Sequence, residues 1–349
     1  MHKEDKFHYT EIFKLESGKT LPGFQLHYTT FGTLNEARDN VIWVCHALTA
    51  NSNFLDWWEG LFGKERLYDP DKHFVICANM LGSCYGSTGP LSINPENKKP
   101  YYHDFPQLTN RDMVRAFDLL RQALGIAHIH TLIGGSLGGQ HALEWAIMQP
   151  ERIKHLIQLC SNAQHSPWGI AFNESQRMSI AQDPSWQKDE AEAGMQGMAT
   201  ARSIALLSYR HYRTYQKTQS ETSNEKLDHY KASSYQQYQG EKLVRRFNAF
   251  SYWVLSKTMD SHNVARERGS MKAALSQVKA RSLFLGVSTD ILFPVSEQQF
   301  LAEHVANAQL CIIDSDYGHD GFLIEISTLT DKIMRFYEKA KLKPAITDF

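Results

Sequence analysis

A chain of 349 residues, 42% hydrophobic and 21% charged, can bury a large core, either as one α/β domain with a sizeable insertion or as two domains. Its formal net charge of −1 leaves no basic footprint, so nucleic acid is not expected as a partner, and no apolar run is long enough to span a bilayer. Met1 to Lys14 lacks an apolar leader core, and four of the five cysteines sit in or beside strand-like apolar runs; both point to a cytoplasmic chain with small buried thiols rather than a disulfide framework.

Glu11 to Leu15 and Phe24 to Thr30 read as two short strands around a Ser17-Gly18 turn. Val41 to Cys45 and His73 to Ala78 are continuous apolar runs, which a parallel sheet covered on both faces requires. Asn110 to Gly125 turns helical. Met113, Phe117, Leu120 and Leu124 recur at helical spacing, Thr109 or Asn110 caps the start, and Gly125 stops the end. A strand over His130 to Gly134, a helix to Met148, a break at Pro150 and a strand over His155 to Cys160 follow.

From about Ser166 the character changes. Residues 167–280 hold helical pieces without a clear buried strand: Gln176 to Ala181, Gly197 to Tyr212 and Glu241 to Met259, with Thr218 to Asp228 as an exposed loop. Strands resume at Ser282 to Val287 and Gln309 to Ile313, and Phe322 to Ala340 closes the chain as a helix. Alternating strands and helices predict an α/β fold with a mostly parallel sheet, antiparallel at its N-terminal edge. Residues 1–166 and 281–349 would form this core, and 167–280 a helical lid.

Chemistry concentrates at Gly134-Gly135-Ser136-Leu137-Gly138, where an apolar strand passes abruptly into a helix. The spacing is that of a nucleophile elbow, in which side chains two residues either side of the serine would strike neighbouring backbone. Asp290 follows the strand ending at Val287, and His319 follows the strand ending at Ile313. Serine, acid and histidine thus come in the chain order of the α/β-hydrolase fold, each just past a strand's C-terminal end. Ser136 becomes the nucleophile, His319 its base, and Asp290 the group that fixes the imidazole. The backbone N–H groups of Leu137 and Leu48 are the candidate oxyanion donors, with His46 shaping the latter's loop. No CxxC or HExxH spacing occurs, so no metal is expected.

With these residues stand His46-Ala47-Leu48-Thr49, Tyr85-Gly86-Ser87-Thr88-Gly89-Pro90, Phe172-Asn173-Glu174-Ser175-Gln176-Arg177, Tyr238-Gln239-Gly240-Glu241-Lys242, Asp290-x-Leu292-Phe293-Pro294 and Tyr317-Gly318-His319-Asp320. In these motifs, from about His8 to the last helix, the chain resembles the homoserine O-acetyltransferase family. The resemblance implies an α/β-hydrolase fold and a ping-pong transfer in methionine biosynthesis. Acetyl-CoA would be the acyl-donor substrate, L-homoserine the acceptor, and no cofactor would be permanently bound. It also implies that Arg177 grips the amino acid's carboxylate and Asp320 its ammonium, and that the protein is a homodimer. Tyr252 and Met259-Asp260 are further candidates for lining the cavity. Ser83, Gly321 and the Ala50-Asn51 pair depart from the family pattern near the site. A succinyl donor, a serine acceptor or plain ester hydrolysis therefore stay open as alternatives.

Overall fold

The computed structural model describes residues 2–341. Ten strands occur along them: β1 (His2–Tyr9), β2 (Phe13–Lys14), β3 (Thr20–Leu21), β4 (Phe24–Phe31), β5 (Val41–Cys45), β6 (Phe74–Ala78), β7 (Ile129–Gly135), β8 (Ile153–Leu159), β9 (Arg281–Val287) and β10 (Ala308–Ile313). Eight of them form one sheet in the order β1-β4-β6-β5-β7-β8-β9-β10. β4 pairs antiparallel with both β1 and β6, and every pair from β6 to β10 is parallel. This is the α/β-hydrolase arrangement. Both faces of the central strands are covered: Ile42 and Val44 join one apolar cluster, Val41, Trp43 and Cys45 the other. That double burial is why these strands read as unbroken apolar runs rather than alternating ones.

The helices are α1 (Phe54–Trp57), α2 (Asn110–Ala123), α3 (Leu137–Met148), α4 (Pro167–Ala181), α5 (Met195–Tyr209), α6 (Tyr212–Gln219), α7 (Lys231–Val244), α8 (Ala249–Asp260), α9 (Met271–Leu275), α10 (Val295–His304), α11 (Gly321–Ile324) and α12 (Ile326–Lys341). Thr109 caps α2 in a reciprocal box with Asp112. Between β8 and β9 the chain makes helices α4 to α9 and no strand of the sheet. Among the described residues no helix is long and apolar enough to cross a membrane.

Several details differ from the sequence reading; among them, the expected helix Gly197 to Tyr212 ends at Tyr209, where Arg210 turns extended, and α6 begins at Tyr212 and runs to Gln219. β1 is an edge strand whose residues are largely exposed, so it carries no apolar signal, as befits an edge. Phe13–Lys14 pairs with Thr20–Leu21 in a separate small ribbon and not with β4. The predicted helix from Glu241 to Met259 is two helices, because Asn248 turns out of helical geometry and caps α8 through the Ser251 N–H at 2.8 Å. The C-terminal helix is likewise broken, at Glu325, into α11 and α12.

Candidate active site

The elbow owes its shape to its glycines. A Cβ on Gly134 would stand 2.4 Å from the Gly138 carbonyl oxygen, and one on Gly138 would stand 2.0 Å from that of Cys45. With both positions bare, β7 turns into α3 in one step and Ser136 takes φ 57°, ψ −127°, strained for a residue with a side chain. Ser136 N–H donates to the Leu159 carbonyl at 3.0 Å and the Ser136 carbonyl accepts from Ser161 Oγ at 2.8 Å, so the strain is held from both sides.

Asp290 and His319 meet across β9 and β10. His319 Nδ1 donates to Asp290 Oδ2 at 2.7 Å, and Asp290 Oδ1 accepts the N–H groups of Leu292 and Phe293 at 2.8 and 2.9 Å. Every oxygen of the carboxylate is engaged, which fixes the imidazole with Nε2 as its free base nitrogen. Phe293 stacks on the ring at 5.2 Å, and Phe322 and Tyr209 wall it at 5.3 and 5.7 Å. Ser136 and His319 line one cleft of about 510 Å³, although no hydrogen bond joins them in this structure, a gap that unliganded sites often show.

Two backbone donors lie beside the serine. Leu137 opens α3 and Leu48 lies in the loop after β5; both are buried, and neither N–H meets a protein acceptor among the described residues. N–H groups left open beside a serine at a helix start are the kind of donors an oxyanion needs. His46 is no rival base. Its Nε2 accepts from Met80 N–H at 3.2 Å, its Nδ1 reaches the Ala47 carbonyl at 2.9 Å, and burial pulls its pKa down to about 4. It braces the loop. Cys160, after β8, places its thiol within 4.8 Å of the Asp290 and His319 ligand atoms, a grouping that could hold a metal. The 2.7 Å bond between Asp290 and His319 already occupies one ligand atom of each.

The two residues expected to hold an amino acid lie in different places. Arg177 does not line the cleft. It is buried between α4 and α8, with Nη2 on Asp260 Oδ2 at 2.5 Å, Nη1 on Ser256 at 3.0 Å and Nε on Glu174 at 2.9 Å. A guanidinium so engaged has no fork to offer a ligand. Asp260 is consumed by the same pair, and Tyr252 is fully buried with its hydroxyl on Gln176; none of these reaches the cleft. Arg202 does. It lines the cleft, lies 5.4 Å over the Tyr209 ring, and has no carboxylate within ion-pair distance among the described residues. Tyr209 in turn lies against the His319 ring, so α5 brings Arg202 and Tyr209 to the same cleft as His319. The signal was present: Arg202 and Tyr209 fall seven residues apart, on one face of a helix. Asp320 stands where expected, in the cleft; its Oδ2 accepts from Arg210 Nε at 2.6 Å, while Oδ1 has no protein donor among the described residues.

A family model described as the alpha/beta hydrolase fold matches residues 40–325. A homoserine O-acetyltransferase of Cyclobacterium marinum is 53% identical over 96% of this chain and 95% of its own. The crystal structure of a homoserine O-acetyltransferase from Bacillus anthracis superposes with TM-score 0.88 at 27% identity, covering 96% of this chain and 97% of that one. A mutant of esterase E22 superposes with the same TM-score, 0.88, at 23% identity over 96% of this chain and 99% of its own, so the backbone alone does not separate transfer from hydrolysis.

Proposed function

The chain belongs to the homoserine O-acetyltransferase family, acyltransferases of methionine biosynthesis on the α/β-hydrolase fold, and from that premise we propose how its residues carry acetyl from acetyl-CoA to L-homoserine. In the first half-reaction His319 Nε2 takes the Ser136 proton as Oγ attacks the thioester carbonyl. The N–H groups of Leu48 and Leu137 stabilise the oxyanion. The tetrahedral species collapses, the thiolate leaves with the proton from His319, and acetyl-Ser136 remains. In the second, His319 takes the proton of the homoserine γ-hydroxyl, whose oxygen attacks the acetyl carbonyl, and Ser136 leaves reprotonated. Asp290 keeps the ring in the required tautomer throughout.

One observation carries the choice of acceptor. The cleft that holds Ser136 and His319 also holds Arg202, a cation with no carboxylate partner among the described residues, and Asp320, a carboxylate with one oxygen that has no protein donor among them. These are the two ends of a clamp for a zwitterion, which a plain esterase does not need. Arg202 replaces Arg177 as the carboxylate-binding residue in this reading. Residues 167–280 act as a lid over the core formed by 1–166 and 281–349, limiting water, which would otherwise hydrolyse acetyl-Ser136.

Purified protein with acetyl-CoA and L-homoserine is expected to form O-acetylhomoserine and free CoA one for one. Hydrolysis of simple esters far outrunning every transfer, or a clear preference for succinyl-CoA or serine, would overturn the assignment. Ser136→Ala is expected to abolish the acetyl adduct seen by intact-protein mass spectrometry. The chain is further proposed to act in the cytoplasm as a homodimer. Its free cysteines favour the compartment, and exposed Trp168, Ile170 and Met178 on α4 favour pairing through the insertion. Light scattering at twice the chain mass tests the dimer.

A further inference from the structure

The cleft over Ser136 is unbalanced in charge. Its acids are Asp56 and Asp320, and Asp320 already shares Arg210. Its cations are Arg202, Lys242 and Arg246. Arg202 is half-buried, whereas Lys242 and Arg246 are exposed at the rim. Lys242 lies on α7 and Arg246 just past its end, four residues on and so on the same side. Among the described residues neither has a carboxylate within ion-pair distance; the neighbouring Glu241 is with Arg245 instead, at 3.7 Å.

Arg246 is pinned while Lys242 is free. Arg246 Nη1 donates to the Thr49 carbonyl and to Tyr85 Oη at 2.6 Å, and this seats the guanidinium beside the loop that carries Leu48. Its Nε has no protein acceptor among the described residues. A fixed planar donor and a mobile point charge, one helical turn apart, match what phosphate oxygens bind. The cleft also has a buried end, at Ser136, and an exposed one, at Lys242 and Arg246. An acyl thioester must reach Ser136 at the floor, while phosphates are costly to bury and stay at the mouth.

We propose that Lys242 and Arg246 form the phosphate-binding mouth of this cleft, which grips the phosphate groups at the nucleotide end of the acyl donor while its thioester reaches Ser136. The inference rests on the reading of an acyl-CoA as donor. It divides the cations by depth: Arg202 for the acceptor's carboxylate, Lys242 and Arg246 for the donor's phosphates. Because Arg246 also holds the Thr49 carbonyl, donor binding would be seated against the loop that supplies one oxyanion N–H.

The test removes phosphates from the donor and charge from the protein in turn. Acetyl-CoA, acetyl-3′-dephospho-CoA and S-acetylpantetheine are compared with the wild-type chain, Lys242→Ala and Lys242→Glu, exposed substitutions on a helix that do not endanger folding. For acetyl-CoA, KM is expected to rise about tenfold in Lys242→Ala and further in Lys242→Glu, with kcat little changed. That factor is expected to shrink with the dephospho donor and to vanish with S-acetylpantetheine, which has no phosphate. Added salt should raise the wild-type KM for acetyl-CoA but not for S-acetylpantetheine. An equal loss on all three donors, or none on acetyl-CoA, overturns the phosphate site. Wild-type protein whose Ser136 gains no acetyl from acetyl-CoA overturns the donor reading itself. The two failures are therefore distinguishable.

Discussion

Arg177 lies in a buried ion pair with Asp260, whereas Arg202 faces the cleft over Tyr209. Substituting each by alanine should therefore fail in different ways. Arg177→Ala leaves Asp260 in a site whose burial already pushes its carboxyl pKa up, and should cost about 3–5 kcal/mol of stability in denaturant titration. Arg202→Ala should leave stability nearly unchanged and raise KM for homoserine at least about tenfold, with formation of the acetyl adduct preserved, because it removes one charge-assisted contact to the acceptor. Equal slowing of both half-reactions would contradict the role given to Arg202. The motif around Arg177 was legible in the sequence, but its direction was not. Side-chain direction on α4 is set by what packs against it, and Asp260 lies far along the chain. Ser136, Asp290 and His319 were legible because sterics at Gly134 and Gly138, and the order of strand ends, constrain them locally.

Between elements, the critical junction is the one that holds the His319 turn against the insertion. Gly318 has φ 65°, and a Cβ there would stand 2.8 Å from His211 N and 2.9 Å from the Tyr209 carbonyl oxygen. The end of α5 and the start of α6 therefore lie directly on the His319 loop. Arg210 holds Asp320, Arg213 holds Asp316 at 3.2 Å, and Thr214 Oγ1 donates to the Asp316 carbonyl at 2.6 Å. Gly318→Ala should push this junction apart and lower the acetylation rate of Ser136 by about 10²-fold, since misplacement by ~1 Å is enough for that loss. Rapid-quench measurement of the adduct against a circular dichroism spectrum of the same variant separates this from unfolding. A second junction is ionic. Glu144 of α3, nearly fully buried, receives Arg111 Nε at 3.1 Å and Arg268 Nη1 at 3.0 Å, tying α2, α3 and the far end of the insertion together. Neither junction can be read from periodicity, since each joins residues distant in sequence.

Across the whole molecule, the sheet has a reactive end and a titratable one. At the N-terminal ends of β6, β7 and β8, His130 and His155 pack against Tyr337 at 6.0 and 5.2 Å and lie 4.9 Å from one another, and His73 packs on His130 at 6.3 Å between ring centroids. Burial pulls the pKa values of both His130 and His155 down to about 4, helped by Lys154 and His73 beside His130 and by His130, Lys154 and Arg281 beside His155. Both are neutral when folded and bind protons more readily when unfolded. Their contribution to stability is thus complete above the ordinary histidine range near 6.5 and is lost as pH falls towards 4. Denaturant titrations from pH 7.5 to 4.5 should show this loss, and His130→Asn should flatten it; an unchanged slope would exclude the cluster as its source. The sequence by itself determined the α/β-hydrolase sheet, the elbow and the triad order, because unbroken apolar strands, two sterically required glycines and covalent order are local properties. Only the tertiary structure decided which arginine faces the serine, that the exposed β1 joins the sheet, and how the insertion grips the His319 turn. Those outcomes depend on which face of a helix or strand meets a partner far along the chain, and that is fixed by packing of the whole molecule.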